Sequence, residues 1–168
     1  MSYKDQLKED PRAALFDAMD GVRAGMLGLT AAADGMQPMT HFPDEGAGVI
    51  WFISSTETEL VKGTGQGADA SYCLIGKGHD FHACILGELA HVQNREKLEE
   101  LWSPMVGAWF KGGLEDPKVA LLRFTPASAE VWASDVGALR FGYEMARATM
   151  DDGHQPDLGT HAAFRFSP

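Results

Sequence analysis

Ala70-Ser71-Tyr72-Cys73-Leu74-Ile75 and Phe81-His82-Ala83-Cys84-Ile85-Leu86 are two apolar runs separated by Gly76-Lys77-Gly78-His79-Asp80. Short apolar runs on either side of a glycine-rich polar break spell a β-hairpin. With a four-residue loop at Lys77 to Asp80, Gly76 faces Phe81 and Cys73 faces Cys84. Facing cysteines can bond, but in a reducing compartment the pair reads as two small buried hydrophobes. Two cysteines make no disulfide scaffold, and these lack zinc spacing.

The segments around the hairpin extend the pattern. Upstream, Met26 to Thr30 and Met36 to His41 flank Asp34-Gly35, a strong two-residue hairpin signal. Val49 to Ser54 is rich in β-branched and aromatic residues and reads as a strand. Thr56 to Lys62 follows as a short helix, broken by Gly63-Thr64-Gly65-Gln66-Gly67. Nearer the start, Asp10-Pro11 opens a helix with Leu15, Phe16 and Met19 on one face, and Asp20-Gly21 stops it.

Downstream, the second apolar segment continues to Val92. Asn94 caps a helix with Leu98, Leu101, Trp102 and Met105 on one stripe, ending around Pro104 and Gly112-Gly113. Val119 to Thr125 and Ala129 to Ala133 are extended, Ala138 to Met150 is helical, and Ala162 to Phe166 closes as a last strand. Strands joined mainly by hairpins, with helices at the start, middle and end, give an α+β class and a small antiparallel barrel with peripheral helices. The expected organisation is one domain over 1–168, with its core at about 11–133 and a helical and extended tail at 134–168.

Charge narrows the function. Among 168 residues, 14 Lys plus Arg stand against 24 Asp plus Glu, a net charge of −10, with no basic block. Nucleic acid and anionic lipid are poor partners for such a chain. No apolar run approaches the roughly 20 residues of a membrane span. Met1 to Arg12 lacks the apolar stretch of a secretory signal, so a cytoplasmic location is expected.

Few motifs carry chemistry. Gly63 to Gly67 precedes a strand-like segment, and Ala68-Asp69 stands where a phosphate loop needs Lys and Ser or Thr, so it reads as a flexible turn. His79 and His82 flank Asp80 on a hairpin, where that spacing does not turn both rings to one face, and they read as surface residues. No metal site and no catalytic side chain is assigned. Trp102 and Trp109-Phe110 concentrate aromatic area in one stretch, suited to the chain's own core or to a dimer interface.

Several segments in order carry a family likeness. Asp34-Gly35 precedes Gln37-Pro38-Met39, and Val49-Ile50-Trp51-Phe52-Ile53-Ser54-Ser55 leads into Thr56-Glu57-Thr58. Gly87-Glu88-Leu89-Ala90 precedes Asn94 to Trp102, followed by Trp109-Phe110, Gly113 and Glu115-Asp116-Pro117. Leu121-Leu122-Arg123-Phe124 and Glu130-Val131-Trp132 complete the run, with a looser echo in Gln155 to His161. The sequence resembles the general stress protein branch of the pyridoxamine 5′-phosphate oxidase-like FMN-binding split barrels.

The resemblance implies a six-stranded antiparallel split barrel of Greek-key type. It also implies a homodimer with FMN, or another small-molecule ligand, at the interface. Gln37, Pro38, Met39 and Thr40, with Phe52, Ile53, Ser54 and Ser55, would line the flavin ring. Ser55, Thr58 and Lys62 would meet the phosphate, and Trp109-Phe110 would approach from the partner subunit. The family's usual Arg before Pro-Met is Gln37 here, and its Ser-x-Lys reads Thr58-Glu59-Leu60. Two functions are therefore expected to compete: a flavin-dependent oxidoreductase other than a true pyridoxamine phosphate oxidase, and a flavin-free dimer binding another small ligand.

Overall fold

A computed structural model describes residues 2–134, 138–151, 153, 155 and 159–167. Two helices lead, α1 (Tyr3–Glu9) and α2 (Pro11–Asp20). Asp10 lies between them in extended conformation and its carboxylate accepts from the Ala13 amide at 3.0 Å, so the expected cap forms. Leu15, Phe16 and Met19 are buried as the helical spacing predicts. The α1 helix is an addition to the sequence reading. Its Ser2 cap closes the first turn, and buried Leu7 holds it to the body despite its polar composition.

The strands are β1 (Ala24–Leu29), β2 (Gln37–Thr40), β3 (Phe42–Asp44), β4 (Val49–Ser55), β5 (Ala68–Ile75), β6 (Phe81–Val92), β7 (Val119–Ala133) and β8 (Thr160–Arg165). Helix α3 (Glu59–Thr64) lies between β4 and β5. Helices α4 (Arg95–Leu101) and α5 (Pro104–Gly107) lie between β6 and β7, and α6 (Ala138–Met150) precedes β8. The sheet is antiparallel throughout, in the order β2-β1-β5-β6-β7-β4-β3, with β8 also on β7. It curls until β2 meets β4, and α1 and α2 pack against β8. This is the expected α+β barrel with peripheral helices.

The strand count differs from six: the described residues form an eight-stranded sheet. Val119 to Thr125 and Ala129 to Ala133 are halves of one strand of 15 residues. Pro126 is tolerated inside it because the β6–β7 register shifts at Leu86/Gly87, a bulge that relaxes the demand for its missing amide. The two halves of β7 then pair on the same edge with different strands, Val119 to Phe124 with β4 and Ser128 to Ala133 with β8. The short β3, unread in the sequence, adds to β4.

Two further expectations change. The β1–β2 ladder ends at Leu27 opposite Gln37, so Asp34-Gly35 is a bend within a wider loop rather than a two-residue turn. The stripe read through Met105 is cut after Leu101. Ser103 precedes a proline, which disfavours helical backbone for the residue before it. It is extended, caps the Val106 amide and starts α5 afresh. The central hairpin stands as read, with Gly76 N–H donating to Phe81 O at 2.7 Å and Cys73 opposite Cys84.

Inside the barrel, Phe52, Tyr72, Phe81 and Phe124 are fully buried among the aliphatic side chains of α2 and the sheet. Phe52 meets Tyr72 edge-on at 5.0 Å between centroids. Gly25 is required beside this pair, because a Cβ there would lie 2.6 Å from the Tyr72 hydroxyl oxygen. Among the described residues, no helix is long and apolar enough to cross a membrane.

Candidate functional site

Strands β2 and β4 stand near the two ends of the sheet path, so curling brings their edges together. The α4–α5 arm and the loop after it lie over this seam. Between them runs a groove of about 900 Å³, lined by Pro38, Met39 and Thr40 on one side and by Ile53, Ser54 and Ser55 on another. Val106 of α5 and the following Trp109 and Phe110 form a third wall, with Lys111, Asp116 and Lys118 towards the start of β7.

Each wall has a local cause. A buried polar relay lies behind Met39. His41 Nε2–H donates to the Met19 carbonyl at 2.8 Å, so in the neutral ring Nδ1 accepts from the Tyr72 hydroxyl. The same hydroxyl lies 3.3 Å from the Met39 carbonyl. Burial holds the His41 pKa below its ordinary value, favouring the neutral ring that this relay needs. The arm is tied down by side chains of α4. Lys97 Nζ sits 3.3 Å from Asp44 and 5.7 Å above the Trp51 ring. Arg95 reaches Glu99, Glu115 and the Leu114 carbonyl. Trp102 packs on Phe110 at 6.0 Å between centroids.

The polar end lies where β4 leaves the sheet. Ser55 Oγ accepts from the Glu57 amide at 3.2 Å, and the Thr56 amide donates to the Lys118 carbonyl at 2.8 Å. Lys118 Nζ pairs with Glu57 at 2.8 Å, and that hydrogen bond raises its pKa. Asp116 accepts from the Lys118 and Gly112 amides, which lower its pKa.

The structure thus gathers Pro38, Met39, Thr40, Ile53, Ser54, Ser55, Trp109 and Phe110 around one space. The other expected site residues lie elsewhere. Phe52 points into the core, because alternation along β4 turns it opposite to Ile53. Gln37 flanks the groove, its amide 3.3 Å from Met39 Sδ. Thr58 caps α3, accepting from the Val61 amide, and its hydroxyl donates to the Ser55 carbonyl at 2.9 Å. Lys62 lies outside the groove, paired with Glu59 at 2.7 Å. Leu60 is buried in the core, so its side chain does not occupy a vacant cation position at the groove. Trp109 and Phe110 line the groove of their own chain.

The groove's own cations, Lys111 and Lys118, were missed in the sequence. Lys111 directly follows the aromatic pair and could have been found by that adjacency. Lys118 enters only through the β4–β7 pairing. His79 lies at the hairpin turn with positive φ (57°), His82 is exposed, and no group of three or more metal-ligating side chains occurs among the described residues. In the tail echo, Pro156, Asp157 and Leu158 lie outside the described residues.

The model of the pyridoxamine 5′-phosphate oxidase-like family matches residues 10–157. A protein described as general stress protein 26 from Jannaschia sp. is 38% identical, with a TM-score of 0.78, over 94% of this chain and 99% of its own. The general stress FMN/FAD binding protein from Xanthomonas citri is 35% identical, with a TM-score of 0.69, over 77% of this chain and 92% of its own. A protein from Clostridium acetobutylicum related to general stress protein 26 shares the fold, with a TM-score of 0.59 at 13% identity, over 98% and 96% of the two chains. No curated protein matches. With its sheet order, its seam groove and these likenesses in agreement, the chain belongs to the pyridoxamine 5′-phosphate oxidase-like family, in its general stress protein branch.

Proposed function

We propose that the groove binds FMN and that the chain acts, as a homodimer, as a flavin-dependent oxidoreductase. The observation that carries this reading is the division of the groove. Its walls are largely apolar and aromatic, with Met39, Ile53, Val106, Trp109 and Phe110, while Ser54, Ser55 and Lys118 cluster where β4 meets the start of β7. A three-ring heterocycle with a phosphorylated polar tail has the same division, and about 900 Å³ suffices for a molecule of that size. The FMN/FAD binding relative from Xanthomonas citri supports the same ligand class.

Bound flavin would supply electron-transfer chemistry that these side chains lack. The chain's part is placement. Met39 and Trp109 would cover the ring faces and exclude water, the serine and threonine hydroxyls would bind polar ring atoms or the tail, and Lys118 would offset phosphate charge. Lys118 is already paired with Glu57, and Lys111 is the other groove cation. Two lysines leave little charge for a second phosphate, so pyridoxamine phosphate is a poor substrate. The arm favours a homodimer, because none of its helical residues is buried while Met105 and Trp109 stand exposed at the groove.

One observation favours the flavin-free reading: Glu57 and Asp116 offset both lysines, which suits a neutral ring compound. Titration of intrinsic and flavin fluorescence with FMN and with riboflavin separates the two. FMN should bind about tenfold more tightly than riboflavin. Lys118→Ala should narrow that gap while leaving riboflavin affinity unchanged. Absence of flavin binding at saturating concentration would overturn the proposal.

A further inference from the structure

We propose that Cys73 and Cys84 form an oxidant-responsive dithiol–disulfide couple on the barrel wall remote from the groove. The hairpin register is the first support. Gly76 and Phe81 are a hydrogen-bonded pair, so with antiparallel alternation Cys73 and Cys84 form a non-hydrogen-bonded pair three steps on. Directly opposite residues of that kind have Cα atoms about 4.5 Å apart, inside the range a disulfide spans. Both thiols are free, and their Sγ atoms are 3.2 Å apart.

Access is the second support. Both cysteines are half-buried, and Cys84 opens on a cavity of about 370 Å³ beside Leu86, Glu130 and Trp132. A peroxide is small enough to enter it. The pair also lies in the middle of the strand order, whereas β2 and β4 build the groove near its ends. Oxidation here therefore requires nothing from the groove's ligand.

The chemistry closes with hydrogen peroxide as oxidant. The Cys84 thiolate attacks one peroxide oxygen, the O–O bond breaks, and the departing hydroxide takes a proton to leave as water. Cys84 is then a sulfenic acid. The Cys73 thiolate attacks its sulfur, an S–S bond forms, the S–O bond breaks, and a second water leaves. Two thiols are oxidised by two electrons and one peroxide is reduced. Burial, then the hydrogen bond and charge of Cys84, push the Cys73 thiol up to about 12. A small thiolate fraction makes the couple slow, suited to sustained rather than brief oxidant exposure.

The test treats the folded wild-type protein with hydrogen peroxide, alkylates the remaining thiols and reads intact mass and a non-reduced peptide map. The expected product has lost two hydrogen atoms, carries no alkyl group, links residue 73 to residue 84 within one chain, and reverts with dithiothreitol. Cys73→Ser should stop at a Cys84 sulfenic acid that dimedone traps. Three outcomes would overturn the proposal: both thiols still alkylated after prolonged exposure, Cys84 carried to sulfinic acid with Cys73 free, or links formed between chains only.

Discussion

The β5–β6 hairpin and the α4–α5 arm both carry large apolar side chains but place them differently. In the hairpin, Tyr72, Leu74, Phe81, Ile85 and Leu89 turn inward and are at most 3% exposed. In α4 and α5 no residue is buried, and Trp109 just beyond them is 84% exposed. The hairpin has neighbours on both flanks, so each inward residue meets a filled interior. The arm crosses a seam and rests on caps, ion pairs and one ring contact. Barrel wall is complete in one chain. The arm is where a ligand or a second copy would add packing.

The contrast breaks most visibly in the wall. Phe52→Ala removes a fully buried ring that packs on Tyr72 and should lower unfolding stability by about 3–5 kcal/mol, read from urea denaturation. A loss below about 1 kcal/mol would show a wall looser than its burial implies.

Acid sharpens it next. The His41 pKa lies below its ordinary 6.5, mainly through lost solvation, while hydrogen bonds to the Met19 and Val22 backbone and the charge of Asp20 act in the opposite sense. The unfolded chain therefore takes up this proton more readily than the native one. Stability from this group is complete above pH 6.5 and declines as pH falls towards the folded value, by at most about 1.4 kcal/mol per pH unit. Urea midpoints between pH 7.5 and 5 should fall more steeply for wild type than for His41→Asn. Parallel slopes would mean that the relay behind Met39 does not titrate.

The smallest effect on stability belongs to the arm. Trp109→Ala should change the stability of the ligand-free protein by no more than about 0.5 kcal/mol, as expected of an exposed side chain. The same substitution should weaken FMN binding in the fluorescence titration. A large loss of stability without ligand would place Trp109 among the residues that hold the arm.

Legibility followed the same division. The hairpin register could be read to the residue, because a turn and a period of two leave one arrangement that buries Tyr72 and Phe81. The cap at Asp10 and the inward face of α2 were equally plain. The α1 helix was hidden because its single buried apolar residue, Leu7, makes no periodic signal. The fusion of β7 through Pro126 was hidden because proline ordinarily ends a strand, and only the bulge opposite it changes that rule. For the site, the resemblance pointed to the right edges of β2 and β4. It could not tell that Leu60 faces the core, that Lys62 turns to Glu59, or that Lys118 arrives from β7.

Local patterning by itself determined the α+β class, the antiparallel hairpins and the capped helices, since these rest on neighbours a few residues apart. Tertiary structure alone decided that β2 meets β4 and that Ser55, Lys118 and Trp109 share one groove. Those relations join residues far apart in sequence or depend on the exact closure of the sheet. Their distances are set by how strands curl and pair rather than by any preference of the residues themselves.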